Sequence, residues 1–98
     1  MIRHVVAWKL KTQDAGERTA QAQKIADDLS ALRGVVPSII DISVGPDVVG
    51  GANWDVALVA DFADAAALDE YQTHPAHLAV VGYVRSVVSD RAAVDFEL

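Results

Sequence analysis

The chain has 98 residues, enough for one domain and too few for two. Fourteen acidic against eight basic residues leave a formal charge of −6 and no lysine/arginine cluster, which argues against nucleic acid as a partner, because phosphate contacts need concentrated positive charge. The absence of cysteine excludes disulfides, thiol nucleophiles and thiolate metal sites.

Hydrophobic residues make up 52% of the chain. A domain of this size buries only about 60–65% of the surface its unfolded chain exposes. Part of the apolar surface is therefore expected to meet a second copy of the chain. No run approaches the ~20 apolar residues of a membrane span. Met1 leads directly into a strand-like stretch without the long uncharged core of a signal peptide, so a cytoplasmic location is the expectation.

Residues 2–11 read as a strand with His4, Val6, Trp8 and Leu10 on one face and Arg3, Val5, Ala7 and Lys9 on the other. A polar turn over 12–16 precedes an amphipathic helix over 17–32, in which Ala22, Ile25, Ala26, Leu29 and Leu32 keep helical spacing. Gly34 and Pro37 end it. Residues 38–44, rich in β-branched side chains, form a second strand, and a loop runs between Gly45-Pro46 and Gly50-Gly51. Residues 54–62 alternate as a third strand, Trp54, Val56, Leu58, Ala60 and Phe62 against Asp55, Ala57, Val59 and Asp61. Asp64 is placed to cap a short helix through Tyr71. Pro75 suits the first position of the next helix, which is expected to reach Ser89 with Val80, Val81, Val84, Val87 and Val88 inward. Residues 92–97 close the chain as a strand.

The order β-α-β-β-α-α-β is that of a ferredoxin-like split βαβ protomer, an α+β fold whose second helix is broken at a proline. A four-stranded antiparallel sheet then carries helices on one face only. The other face, expected to include Val5, Ala7, Ala57, Val59 and Ala93, is apolar enough to meet a second sheet, which makes the assembly a dimeric α+β barrel. Asp55, Asp61 and Asp95 are expected on that same outer face, at its rim or in the dimer interface, with Arg3, Lys9 or Arg91 as partners.

Three histidines carry most of the chemical interest. His77, third residue of the last helix, falls in line with Val81, Val84 and Val88 on the core side. A helix N-terminus and burial both favour the neutral imidazole, which can accept a proton. Tyr71 stands just before the break, and its phenol can donate to a carbonyl or enolate oxygen in the gap between helices and sheet. His4 points into that gap if its strand face meets the helices. Each has a plain structural alternative: a capping or core histidine for His77, a core aromatic for Tyr71, and a backbone-bonded core histidine for His4. His74 reads as a helix cap. His74 and His77 are also an i, i+3 pair, but no acidic residue obviously completes a metal set. A Gly-rich phosphate loop, a G-x-S-x-G elbow and an H-E-x-x-H motif are all missing.

The Ile2-Arg3-His4-Val5-Val6 strand, the Tyr71-x-x-His74-Pro75-x-His77 string and the closing Ala93-Val94-Asp95-Phe96 strand resemble the Dabb family, the stress-responsive dimeric α/β-barrel proteins. The resemblance runs end to end in element order, and the Tyr-x-x-His-Pro-x-His string is its specific part. It implies a ferredoxin-like protomer and a homodimer, without implying one reaction. Likeness to its plant branch of olivetolic acid cyclase type implies aldol closure of a polyketide without a cofactor. In that likeness Tyr71 matches the catalytic tyrosine, His77 the general base and His4 a supporting pocket residue.

Three functions are consistent with these residues. The first is a cofactor-independent lyase or cyclase acting on a ketone or polyketide-like molecule. Its catalytic residues are His77 and Tyr71, and its small apolar or aromatic ligand is held by His4, Val6, Trp8, Val81 and Val84. The second is a noncatalytic ligand-binding or stress-protection protein. The third is a related barrel chemistry, such as a cofactor-free monooxygenase on an aromatic substrate, to which Trp8, Trp54 and Asn53 give slight support; haem binding through a helix-start histidine is a less favoured version.

Overall fold

The computed structural model describes residues 1–98. The elements follow the expected order: β1 (Ile2–Leu10), α1 (Ala15–Ser30), β2 (Asp41–Pro46), β3 (Val56–Phe62), α2 (Ala65–Thr73), α3 (Pro75–Val87) and β4 (Val88–Glu97). The four strands form one antiparallel sheet in the order β2-β3-β1-β4, with all three helices on one face. This is the ferredoxin-like α+β arrangement. No helix is long and apolar enough to cross a membrane.

Strand β1 lies at the centre and sends His4, Val6, Trp8 and Leu10 into the helical layer, as its alternation predicts. Leu58, Ala60 and Phe62 of β3 join them, and Ile25 and Leu29 of α1 close the core from above. The valine, leucine, isoleucine and phenylalanine side chains among them contribute roughly 1.5–3 kcal/mol each on burial.

The element ends differ from expectation for identifiable reasons. Helix α1 starts two residues early, because the Asp14 carboxylate accepts the Glu17 N–H at 2.8 Å and fixes the cap there. Gly34, with φ +79°, takes the left-handed conformation in the turn that follows. Strand β2 begins later than expected, at Asp41, because the Ile39 N–H is bonded to Val36 in a turn after that helix. It also extends through Gly45-Pro46, expected as loop; β2 is an edge strand, where a missing N–H costs no ladder bond. β3 starts at Val56 rather than Trp54. Helix α3 ends at Val87 and β4 begins at once, four residues before the expected start, with Val88 paired to Leu10 beyond a register shift in β1.

The β1–β4 register corrects the face assigned to the last strand. Ala93 stands opposite Val6 and Asp95 opposite His4, so both lie on the helix side. A one-residue change of parity moves every side chain of a strand to the other face. The outer face of β4 therefore carries Ala92, Val94 and Phe96. Asp55 also leaves the outer face: its carboxylate accepts the Leu10 N–H at 2.8 Å and lies 3.7 Å from Arg18 of α1. Asp61 does face outward and takes a two-pronged bond from Arg3, at 2.9 and 3.0 Å. That guanidinium holds the Asp61 carboxyl below the usual carboxylate range.

The outer face is consequently more apolar than the sequence pattern suggested. Val59 is 37% exposed, Val94 63% and Phe96 43%, and Val5, Val59 and Val94 share one row of the ladder.

Candidate functional site

Between the sheet and the two C-terminal helices lies a cavity of about 370 Å³. Its apolar wall includes Val6 and Trp8 from β1, Val81 and Val84 from α3, and Val88 at the start of β4. Its polar wall is made by His4, Tyr71, Gln72, His77, Arg85 and Arg91. All seven residues singled out from the sequence as catalytic or ligand-binding thus border one space.

The junction between α2 and α3 explains how two of them meet. Asp64 caps α2 by accepting the Ala67 N–H at 2.8 Å, as expected. His74 has extended backbone (φ −64°, ψ 135°), which stops α2; its Nδ1 then accepts the Ala76 N–H at 3.1 Å and caps α3. Pro75 follows at the first helical position, where no N–H is needed. The last turn of one helix and the first of the next are thereby folded against each other. The rings of Tyr71 and His77 lie 4.3 Å apart between centroids, inclined at 44°.

His77 Nδ1 is 3.1 Å from the Gln72 carbonyl oxygen. A carbonyl only accepts, so Nδ1 carries the hydrogen and the neutral ring keeps its lone pair on Nε2. Burial lowers the pKa of His77 from its usual 6.5; the Gln72 bond works against that shift, while the charges of His4, Arg91 and His74 add to it. The imidazole is neutral at pH 7 and has the protonation state of a base.

Tyr71 is only 1% exposed and packs against Phe62 at 5.1 Å between centroids. Burial pushes its pKa up to about 12 against the opposing charge of Arg91. The phenol therefore stays protonated and can serve as a hydrogen-bond donor across the physiological range.

His4 is 4% exposed and stands edge-on to Tyr71, 6.3 Å between centroids at 66°. Its Nδ1 donates to the Asp95 carboxylate across the ladder. That bond fixes the ring orientation and leaves Nε2 as the free nitrogen. His74 spends its Nδ1 on the helix cap, and nowhere do three or more His, Cys, Asp or Glu side chains gather as a metal site would require.

Some site residues were not identified from the sequence. Asp95, expected on the outer face, stands on the helix side, because the antiparallel register of the first and last strands sets it opposite His4. Arg85 and Gln72 carry no sequence signal, and Arg91, expected as a rim partner for the outer-face aspartates, instead stands on the helix side opposite Trp8 and borders the cavity, while those aspartates pair with Arg3, His4 and Arg18. Arg85 lies eight residues after His77 on α3, and Arg91 faces the cavity only because β4 begins early enough to pair it with Trp8. Conversely, Asn53 and Trp54 border a separate depression with Pro46 and Ala57, so of the three residues that suggested an oxygenase only Trp8 reaches the cavity.

Fold and site together define a ferredoxin-like protein with a partly polar cavity between its sheet and its helices. The chain matches the model of the stress responsive A/B barrel domain over residues 2–98 and belongs to that family. A comparison with curated protein sequences finds no match. Similar solved structures include a dimeric ferredoxin-like protein from Bacteroides fragilis, at 28% identity and TM-score 0.92, covering 99% of this chain and 95% of that one. A hydroxynitrile lyase from Passiflora edulis is 18% identical with TM-score 0.77, covering 97% and 90%. SnoaB, a cofactor-independent oxygenase from Streptomyces nogalater, is 11% identical with TM-score 0.77, covering 99% and 91%. At the last two identities the likeness is one of fold.

Proposed function

We propose that the chain is a homodimer in which each protomer binds a small, largely apolar ketone or polyketide-like molecule and moves a proton next to its carbonyl without a cofactor. His77 is the base and Tyr71 the donor to the oxyanion that forms. The observation that carries this reading is the tilted contact of a neutral imidazole with a protonated phenol, 4.3 Å between ring centroids, at the wall of a shared cavity. Aldol closure and related lyase chemistry need those two functions: proton removal beside a carbonyl, and stabilisation of the resulting enolate oxygen. His4, oriented by Asp95, supports the phenol from the sheet side. That a hydroxynitrile lyase shares the fold is consistent with carbonyl chemistry on it, though a fold by itself hosts unrelated reactions.

The dimer reading rests on the apolar outer sheet face and on the dimeric Bacteroides fragilis neighbour. Two such faces packed together form a closed barrel and shield Val59, Val94 and Phe96 from water.

The test does not require the natural substrate. Hydrogen–deuterium exchange at the carbon beside the carbonyl of acetophenone and benzoylacetone is followed by NMR in D₂O. The protein is expected to accelerate exchange over buffer, and His77→Gln to lose about a hundredfold of that acceleration. Equal acceleration by His77→Gln and the unaltered chain contradicts the role of His77.

A second reading is a noncatalytic ligand-holding or stress-protection protein. It draws support from the burial of Tyr71 against Phe62, which is also the behaviour of a core aromatic. Under that reading both ketones leave the protein with no exchange above buffer.

A further inference from the structure

We infer that the cavity selects an organic acid: its ligand carries a carboxylate that Arg85 and Arg91 hold, while the apolar body lies along the valines. This deepens the proposed function and rests on its reading of the cavity as a ligand site.

The chain is acidic overall, and its arginines are otherwise neutralised. Arg3 meets Asp61, Arg18 meets Asp55 and Arg33 meets Asp41. Arg85 and Arg91 are the two that remain, and both border the cavity. Neither takes part in a salt bridge or a side-chain hydrogen bond. No aspartate or glutamate borders the cavity with them. The nearby carboxylates are already engaged, Asp95 by His4 and Asp90 by the Ser89 hydroxyl.

The two guanidiniums reach the space from different elements, Arg85 from the last part of α3 and Arg91 from β4 opposite Trp8. Arg91 also lies close enough for its charge to act on both Tyr71 and His77. Guanidinium is the side chain best matched to a carboxylate, through paired N–H donors in a planar fork. An acid anchored at Arg85 and Arg91 places its apolar part against Val81, Val84 and Trp8. The far end, where the reacting carbonyl belongs, then faces Tyr71 and His77.

The test is a pair of probes of one shape, para-butylbenzoate and its neutral amide, para-butylbenzamide, titrated into the full chain by calorimetry. The unaltered protein is expected to bind the carboxylate about tenfold more tightly at low salt, with the preference shrinking as salt screens the charges. Arg85→Gln/Arg91→Gln brings the two probes to near parity, and Arg85→Lys/Arg91→Lys keeps part of the preference. Both arginines are exposed, so these variants fold, and a thermal melt verifies it. Equal affinity of the unaltered protein for the two probes, binding of neither, or a preference that survives Arg85→Gln/Arg91→Gln overturns the inference. Carboxylate preference without ketone exchange removes the base chemistry and upholds the anion site; exchange without that preference does the reverse.

Discussion

His4 and Asp95 face each other across the β1–β4 ladder, and the imidazole Nδ1 donates to the carboxylate although the two residues stand at opposite ends of the chain. The bond ties an edge strand that is exposed along nearly its whole length to a buried ring of the cavity wall. Asp95→Ala leaves a buried N–H without its partner, and chemical denaturation is expected to show a loss of about 1–3 kcal/mol. Asp95→Asn keeps an acceptor and loses less. An Asp95→Ala protein as stable as the unaltered chain shows that the pair contributes nothing.

Base chemistry by His77 sets the direction of the pH profile. Because its pKa is lowered, the neutral form persists below the usual 6.5, and ketone exchange is expected to hold from pH 8 to that value and to fall only at lower pH. The same shift affects stability. The unfolded chain binds the proton more readily, so stability from this group is complete above 6.5 and is lost as pH falls through the folded value. An acid limb centred above 6.5 contradicts the assignment.

Tyr71 behaves in the opposite sense at high pH. In Tyr83→Phe it is the single remaining tyrosine, and tyrosinate absorbance is expected to rise only near pH 12. The folded state holds that proton more tightly than the unfolded chain, so stability declines as pH rises from about 10 towards about 12. Ionisation near pH 10 in the folded protein shows that the phenol is open to water.

The outer sheet face is tested by charge. Val59→Glu/Val94→Glu places carboxylates in the two strands that flank β1, on either side of Val5 in the apolar row, where a second sheet could not bury them without large cost. Sedimentation is expected to show a dimer for the unaltered chain and a monomer with native circular dichroism for the variant. A monomeric unaltered chain at micromolar concentration ends the barrel proposal.

Much of this architecture was legible in the residues. Strand β1 alternates cleanly because it is central and half-buried; Asp64 announces the start of α2, and His74 and Pro75 its break from α3, through local chemistry alone. The string Tyr71-x-x-His74-Pro75-x-His77 therefore carried the two residues to which the proposed chemistry is given. Strand β4 was harder, because an exposed edge strand has no buried face to imprint a period, and Ala92-Ala93-Val94 reads equally well in either parity. The passage from Val87 to Val88 has no turn residue, which hid the true start of β4 and with it the position of Arg91. Ile39 and Ile40 favour a strand by propensity, but the chain is still turning after Val36.

The central claim is that His77 is a neutral imidazole with its lone pair on Nε2, beside a protonated phenol in a shared cavity. Nitrogen NMR of the imidazoles at pH 7 tests it directly. The account predicts a His77 ring protonated on Nδ1 and bare on Nε2, with a titration midpoint below 6.5. A His77 that is doubly protonated at pH 7, or that carries its hydrogen on Nε2, contradicts it.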